Sequence, residues 1–206
     1  MKRIMAMMAV AGLAASPALA ASTAKGDPAK AQQIVSQVCS GCHGADGNSV
    51  ISVNPSLAGQ HAEYITKQLT NFKAGERKNP IMMGMAAPLS PEDIKNLAAY
   101  FSEKTPKGGG SIKDKDLALK GQKLYKGGNM ATGVAACAGC HSPDGAGIPA
   151  QFPRLTGQSS EYVAVQLKAF RSGERANDPA SMMRMIAAKM TDQEINAVAE
   201  YIAGLK

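Results

Sequence analysis

Cys39-Ser40-Gly41-Cys42-His43 returns later in the chain as Cys137-Ala138-Gly139-Cys140-His141, and this repeated grammar constrains the fold more than any other feature. Cys-x-x-Cys-His is the attachment signature of a c-type haem. The two thiols add to the two vinyl groups of the porphyrin, and the adjacent histidine faces the iron with one axial nitrogen. Two intervening residues let one short turn reach both vinyls while the histidine stays beneath the metal. All 4 cysteines of the chain lie in the two motifs, so none is left for a disulfide or a separate metal site. A pair of Cys-x-x-Cys turns sharing zinc would not need histidine at the same place after both pairs. Two covalently bound c-type haems are therefore expected.

The first twenty residues read as a removable export signal. Lys2 and Arg3 give a positive start, Ile4 to Ala15 an apolar stretch, and Ala18-Leu19-Ala20 an A-x-A cleavage site. A membrane anchor is the competing reading. The apolar run falls short of the ~20 residues a bilayer requires, and Ser16-Pro17 ends it. Cleavage after Ala20 and a periplasmic location are expected, because covalent haem attachment in bacteria takes place outside the cytoplasm. No later stretch has the length and hydrophobicity to cross a membrane.

Charge excludes another class. Without Lys2 and Arg3 the chain keeps 21 basic residues against 16 acidic ones, a net charge of +5. Two propionates on each haem bring the holoprotein close to neutrality, so no nucleic-acid partner is expected; such binders carry a concentrated basic stripe. Aromatic residues are few, with Trp 0, Tyr 5 and Phe 4. A small domain this poor in aromatics needs the apolar surface that a buried haem supplies.

Past the signal the chain is an internal duplication. At the offset of the two motifs, Asp46-Gly47 matches Asp144-Gly145, Pro55 matches Pro153, and Leu57-Ala-Gly59-Gln60 matches Leu155-Thr-Gly157-Gln158. Glu63-Tyr64 through Gly75-Glu76-Arg77 matches Glu161-Tyr162 through Gly173-Glu174-Arg175. Two long units of one fold follow, and a solenoid does not. Each unit reads as all-α. Asp27-Pro28 opens a helix into the first motif, and its partner runs from about Asp114–Asp116 to Lys126. A second helix spans about 62–74, matched by 161–172 and closed by Gly173. Ser90-Pro91-Glu92-Asp93 and the capping box Thr191-x-x-Glu194 start the last helices. The second unit also carries a Gly-rich insertion, residues 127–136. Glu103 to Lys115, with Pro106 and Gly108 to Gly110, reads as a flexible exposed linker. The division is a signal at 1–20, domains at 21–102 and 116–206, and a linker at 103–115.

An iron that only passes electrons needs a sixth ligand. Of the 3 histidines, His43 and His141 are used, and His61 faces Ser159 in the repeat, so it reads as a surface residue near a helix start. Methionine is the remaining soft donor, in Met82-Met83-Gly84-Met85 and Met182-Met183-Arg184-Met185. Counting back seven from Leu89 reaches Met82, and seven from Met190 reaches Met183. These two alone share a register, while Met85 and Met190 are read as core filling. If the gap in the repeat lies elsewhere, Met182 or Met185 takes the place of Met183.

Together the two haem motifs, the repeated Leu-x-Gly-Gln, the Tyr-x-x-x-Gln-Leu helices and the methionine clusters resemble a dihaem class I cytochrome c of the cytochrome c4 family, over the whole mature length. The resemblance implies two tandem class I cytochrome c domains, each wrapped around one covalently bound haem, with the propionates near the interface. It also implies that the carbonyls of Pro55 and Pro153 accept the ring N–H of His43 and His141, which orients the imidazole and raises its basicity. Thioether ligation favours ferrous iron and a high potential. With both axial positions filled, the expectation is electron transfer without bond chemistry. A monomer shuttling electrons from a membrane quinol–cytochrome c reductase to a terminal oxidase, meeting both at the membrane surface, is the implied circuit. A dihaem subunit of a flavocytochrome dehydrogenase, or a dihaem peroxidase or thiosulfate-oxidising enzyme, are the competing classes.

Overall fold

A computed structural model describes residues 25–108 and 110–206; the export signal expected at 1–20 lies outside the described residues. Among the described residues the chain is all-α, with only two isolated antiparallel bridges, Asn129 with Val134 and Ile148 with Phe152. None of these helices is long and apolar enough to cross a membrane.

The first unit opens with α1 (Pro28–Ile34), capped by the Asp27 carboxylate and started by a proline whose missing N–H costs nothing there. A π-helical turn, Val35–Cys39, joins it without a break to α2 (Ser40–His43). Then come α3 (Ala62–Lys73), α4 (Pro80–Ala86) and α5 (Pro91–Ser102). In α5 the Ser90 side chain accepts from the Asp93 backbone while the Asp93 carboxylate accepts from the Ser90 N–H, an arrangement whose loss costs about 1 kcal/mol. The second unit repeats this as α6 (Lys115–Gly127), α7 (Ala138–His141), α8 (Ser160–Ser172), α9 (Met182–Ala187) and α10 (Asp192–Ala203), with the same box at Thr191 and Glu194.

In each unit the first helix crosses the last, and the long middle helix packs on the last from another side. The apolar stripe of α5, with Ile94, Leu97, Ala98 and Phe101, meets Val35, Ile65 and Phe72 in one core. Ile195, Val198 and Ile202 of α10 meet Tyr125 and Val163 in the other. Truncating a side chain as enclosed as Leu97 or Ile195 to alanine would cost ~2–5 kcal/mol. The crossings are close. A Cβ on Gly121 of α6 would stand 1.9 Å from the Ala197 carbonyl oxygen of α10, so only glycine fits there.

Two expectations change. Residues of the Met82 cluster form a helix, α4, that the repeat pattern did not reveal. Met85 is 46% exposed and is no core filler: α4 turns that position outward, and its counterpart Ile186 is the one that packs on a core. Met190, by contrast, is 4% exposed in the second core.

Candidate haem sites at the two motifs

Each motif sits where a helix delivers it. Through the π turn, α1 runs straight into Cys39 and on to His43, whereas α6 stops at Gly127 and the insertion folds back through the Asn129–Val134 bridge to reach Cys137. Turn side chains hold the first motif from outside, with Ser49 Oγ and Asn54 Nδ2 both donating to the Cys42 carbonyl, at 3.0 and 3.2 Å. In the second, the Tyr125 hydroxyl donates to the Ser142 carbonyl at 2.7 Å.

His43 and His141 are equally enclosed, each 7% exposed. His43 Nδ1 lies 2.8 Å from the Pro55 carbonyl oxygen and His141 Nδ1 lies 2.9 Å from that of Pro153. Burial lowers both imidazole pKa values, partly offset by the proline carbonyls, so the rings are neutral at pH 7. A neutral ring that donates through Nδ1 leaves the Nε2 lone pair free for a metal. The four thiols are unpaired. Burial pushes Cys39 and Cys137 up to about 11, so in the unattached chain they stay protonated.

Among the described residues no three His, Cys, Asp or Glu side chains converge as a metal cage. What the structure offers at each motif is two reduced thiols on one turn and one aimed imidazole, a donor set that fits a covalently anchored macrocycle.

Both methionine clusters lie on short helices that end alike. Ala86 and Ala187 are 0% exposed, and Leu89 and Met190 are buried three residues further on. Extra residues of the second unit fall before Met183: Ala180 and Ser181 take left-handed φ of 50° and 58°, costly for side chains with a Cβ. Met82 is half-buried and packs on the core that Cys39 also touches; Met183 is half-buried on α9.

The units face each other across a polar seam that sequence reasoning gave no role. Arg77 donates to Gln68 of its own unit and to Tyr162 and Gln166 of the other; Arg175 donates to Gln166 and, across the seam, to Tyr64 and Gln68. Each guanidinium is 8% exposed and also stacks over a phenylalanine, Arg77 on Phe72 and Arg175 on Phe170. Neither forms an ion pair among the described residues. Burial alone would raise the Tyr64 phenol, yet the Arg175 and Arg77 charges hold it below its ordinary value. His61 belongs to this seam too. Its Nε2 lies 3.0 Å from the Ala146 carbonyl, so it is a half-buried interface contact and not a free surface residue.

The cytochrome c family profile matches residues 28–103 and 118–206. A cytochrome c4 of Thiocapsa roseopersicina is 48% identical over 188 residues, covering 90% of this chain and 96% of that protein. A thiosulfate dehydrogenase electron acceptor of Thiomonas intermedia is 38% identical, covering 80% of this chain and 77% of that protein. The crystal structure of reduced recombinant cytochrome c4 from Pseudomonas stutzeri superposes with a TM-score of 0.83 at 44% identity, covering 88% of this chain and 100% of that one. Matched twice by the profile and along nearly its whole described length by cytochromes c4, this chain belongs to the cytochrome c family, as a dihaem electron carrier of the cytochrome c4 type with two covalently bound c-type haems.

Proposed function

We propose that the chain is a periplasmic shuttle that takes electrons from a membrane quinol–cytochrome c reductase and delivers them to a terminal oxidase or another acceptor. In this reading a signal at 1–20 is removed, domains at 21–102 and 116–206 each carry one centre, and 103–115 connects them. Cys39, Cys42, His43 and Met82 would hold one haem, and Cys137, Cys140, His141 and Met183 the other. When bound, each haem supplies a one-electron couple between ferrous and ferric iron. The observation that carries the reading is the matched pair of neutral imidazoles, each locked by a proline carbonyl with Nε2 free.

The surrounding residues have definite work. The prolines fix ring orientation and basicity. The Met82 and Met183 thioethers would supply soft donors that keep oxygen and peroxide out of the two sites. Arg77 and Arg175, buried without carboxylates at the seam, suit the propionates of two haem edges, since a buried charge requires a counter-charge. Pyridine haemochrome assay is expected to give two haems per chain, retained on denaturation; one haem, or haem extractable into acid-acetone, would sink the reading.

A second reading rests on the Thiomonas relative, whose name describes an electron acceptor for thiosulfate dehydrogenase. Here the donor would be a thiosulfate dehydrogenase instead of the membrane reductase. Stopped-flow reduction of the purified carrier by each donor separates the two.

A further inference from the structure

The repeated Leu-x-Gly-Gln has no part in the ligand sets above, yet its glutamines are among the most enclosed polar side chains, Gln60 at 5% and Gln158 at 6% exposed. Each reaches across the seam and pairs with one residue of the opposite backbone. Gln158 Oε1 accepts from the Ser56 N–H at 3.1 Å, and Gln158 Nε2 donates to the Ser56 carbonyl at 2.7 Å. Reciprocally, Gln60 Oε1 accepts from the Arg154 N–H at 3.0 Å, while also accepting from the His61 N–H at 3.0 Å, and Gln60 Nε2 donates to the Arg154 carbonyl at 2.9 Å.

Ser56 and Arg154 are the residues that directly follow Pro55 and Pro153. The Ser56 N–H therefore belongs to the same peptide unit as the Pro55 carbonyl that takes the His43 proton, and the Arg154 N–H shares its peptide with the Pro153 carbonyl that takes the His141 proton. The bonds run in series: glutamine oxygen, peptide N–H, peptide carbonyl, imidazole Nδ1–H. In such a chain each bond polarises the next, strengthening it by roughly 10–30%. An acceptor on the N–H makes the carbonyl a better acceptor, which pulls the imidazole proton and makes the ring a more basic donor at Nε2.

We infer that Gln158 is a positioning residue for the first haem's histidine and Gln60 for the second's, so that each domain tunes the redox centre of the other. The inference rests on His43 and His141 being the axial ligands. A more basic imidazole favours ferric iron, so losing the glutamine raises the potential of the haem in the opposite domain. Neither amide lies in its own unit's histidine chain, so the effect is crossed.

The test uses full-length holoprotein carrying Gln158→Met or Gln60→Met, which keep side-chain length and remove both bonds. Haem methyl resonances of the ferric protein, assigned to each centre, are followed through a redox titration. Gln158→Met is expected to shift the first haem's equilibrium about threefold toward ferrous, ~28 mV at ~59 mV per tenfold, leaving the second within error; Gln60→Met gives the mirror result. Ser52→Ala removes a rim contact to Glu161 without touching either proline peptide and is expected to move neither. A shift of both haems together, of the haem in the mutated domain, or of none while the seam tyrosine resonances stay in place, overturns the inference. Should one variant not fold, the reciprocal one still decides. Haem stoichiometry and the low-spin spectrum of wild type and His43→Ala, measured alongside, report separately on the ligand reading: a His43→Ala protein still six-coordinate at both centres would remove the premise itself.

Discussion

The two halves of this molecule keep the same contacts at the histidines and build the approach to them differently. In the first unit one rod, α1 with its π turn, carries the chain into Cys39; in the second the helix stops and a Gly-rich loop does so. Methionine helices diverge in the same way. The neutral Asn79 side chain caps α4 by accepting from the Met82 N–H at 2.9 Å. In α9 a charged clamp replaces it: the Asp178 carboxylate accepts from the Arg184 N–H at 3.0 Å and from its Nε at 2.8 Å. What is held constant is the peptide–imidazole bond and the buried alanine and aliphatic positions; what varies is how the backbone gets there. Different backbone routes thus bring an imidazole to the same peptide carbonyl in the two units.

The largest effect should come from the positions that the comparison equates. In the proposed ligand sets, replacing Met82 or Met183 by histidine exchanges a soft sulfur for a better donor to ferric iron. The potential of only the mutated haem is expected to fall, within the ~0.8 V range that axial ligands span. A fall of about 200 mV corresponds to about 4–5 kcal/mol at ~59 mV per tenfold. In redox titration the far-red ferric band of the iron–thioether bond should halve in each single variant and vanish in the double. Met185→Leu, at an outward-facing position, should leave both intact. If it abolishes the second centre's band while Met183→Leu spares it, the equivalence of Met82 and Met183 fails.

Next in size is the helix crossing. Ala31 and Gly121 hold corresponding places, yet a Cβ at Gly121 would meet backbone atoms of Ala197 at 1.9 and 2.5 Å. Backbone cannot rotate away as a side chain can, so Gly121→Ala should force α6 and α10 apart and cost the second unit about 2–3 kcal/mol, despite a gain in helix propensity of ~1 kcal/mol. Ala31→Gly should cost the first unit only about 1 kcal/mol. Hydrogen exchange resolved by peptide would localise each loss; equal protection in both units for Gly121→Ala would show that the crossing is looser than drawn.

That glycine shows which parts of the fold sequence could reveal. Capping boxes, the turn glycines and the histidine–proline spacing are local: the signal and its partner lie within about a dozen residues, so the pattern carries the bond. Gln60, Tyr64, Gln68 and Arg77 repeat just as faithfully, but beyond the Arg77–Gln68 and His61–Gln60 bonds their partners lie in the other unit, and no spacing rule reaches across a seam. His61 was misplaced for the same reason. Its lack of a counterpart in the second unit says nothing of its contact with Ala146, which has no local trace in the sequence. The Met82 helix is only Pro80–Ala86 and carries Gly84, too short a stretch to show an apolar stripe, although Asn79-Pro80 offers the same cap and first-turn proline as Asp27-Pro28.

Acid should separate the units by a smaller margin. Burial alone would raise the Asp178 carboxyl, but the hydrogen bonds from Arg184 outweigh it and hold the pKa below the usual carboxylate value. With the folded pKa depressed, the clamp contributes fully above ~4, the ordinary carboxylate pKa, and is lost as pH falls through the lower folded value. Asn79 has no such titration. The iron–thioether band of the second centre should therefore fade first on acidification below pH ~4. Asp178→Asn should abolish the difference, at a cost of about 1–2 kcal/mol for losing charge-assisted bonds. Simultaneous fading of both bands in the native protein would remove the contrast.

The smallest expected effect concerns the connector, whose two ends belong to different units. Its first part is bound to the first unit: Lys107 Nζ lies 2.6 Å from an Asp46 oxygen, the Lys107 N–H donates to Asn48 at 2.8 Å, and the Lys104 ammonium sits 4.0 Å from the Tyr100 ring centre. Its last part is bound to the second, where the Lys113 and Asp114 N–H groups donate to Glu200. Between these ends, a Cβ on Gly108 or Gly110 would meet no atom within 4 Å. Trypsin is thus expected to cut first after Lys107, where Gly108 and Gly110 have open space around them, and more slowly after Lys104 and Lys113. The Lys107 hydrogen bond is the main reason the Asp46 pKa falls to about 2, so at the neutral pH of digestion the pair is formed and would be lost only in strong acid. Both partners are exposed, and such a pair is worth at most ~1 kcal/mol. Asp46→Ala should therefore speed cleavage after Lys107 no more than about fivefold. Salt at ~1 M, where screening reaches only ~3 Å, should reproduce part of that gain in the native protein and none in the variant. Each fragment should keep one haem. A first cut inside α3 would mean that the seam, and not the connector, is the weaker joint between the two units.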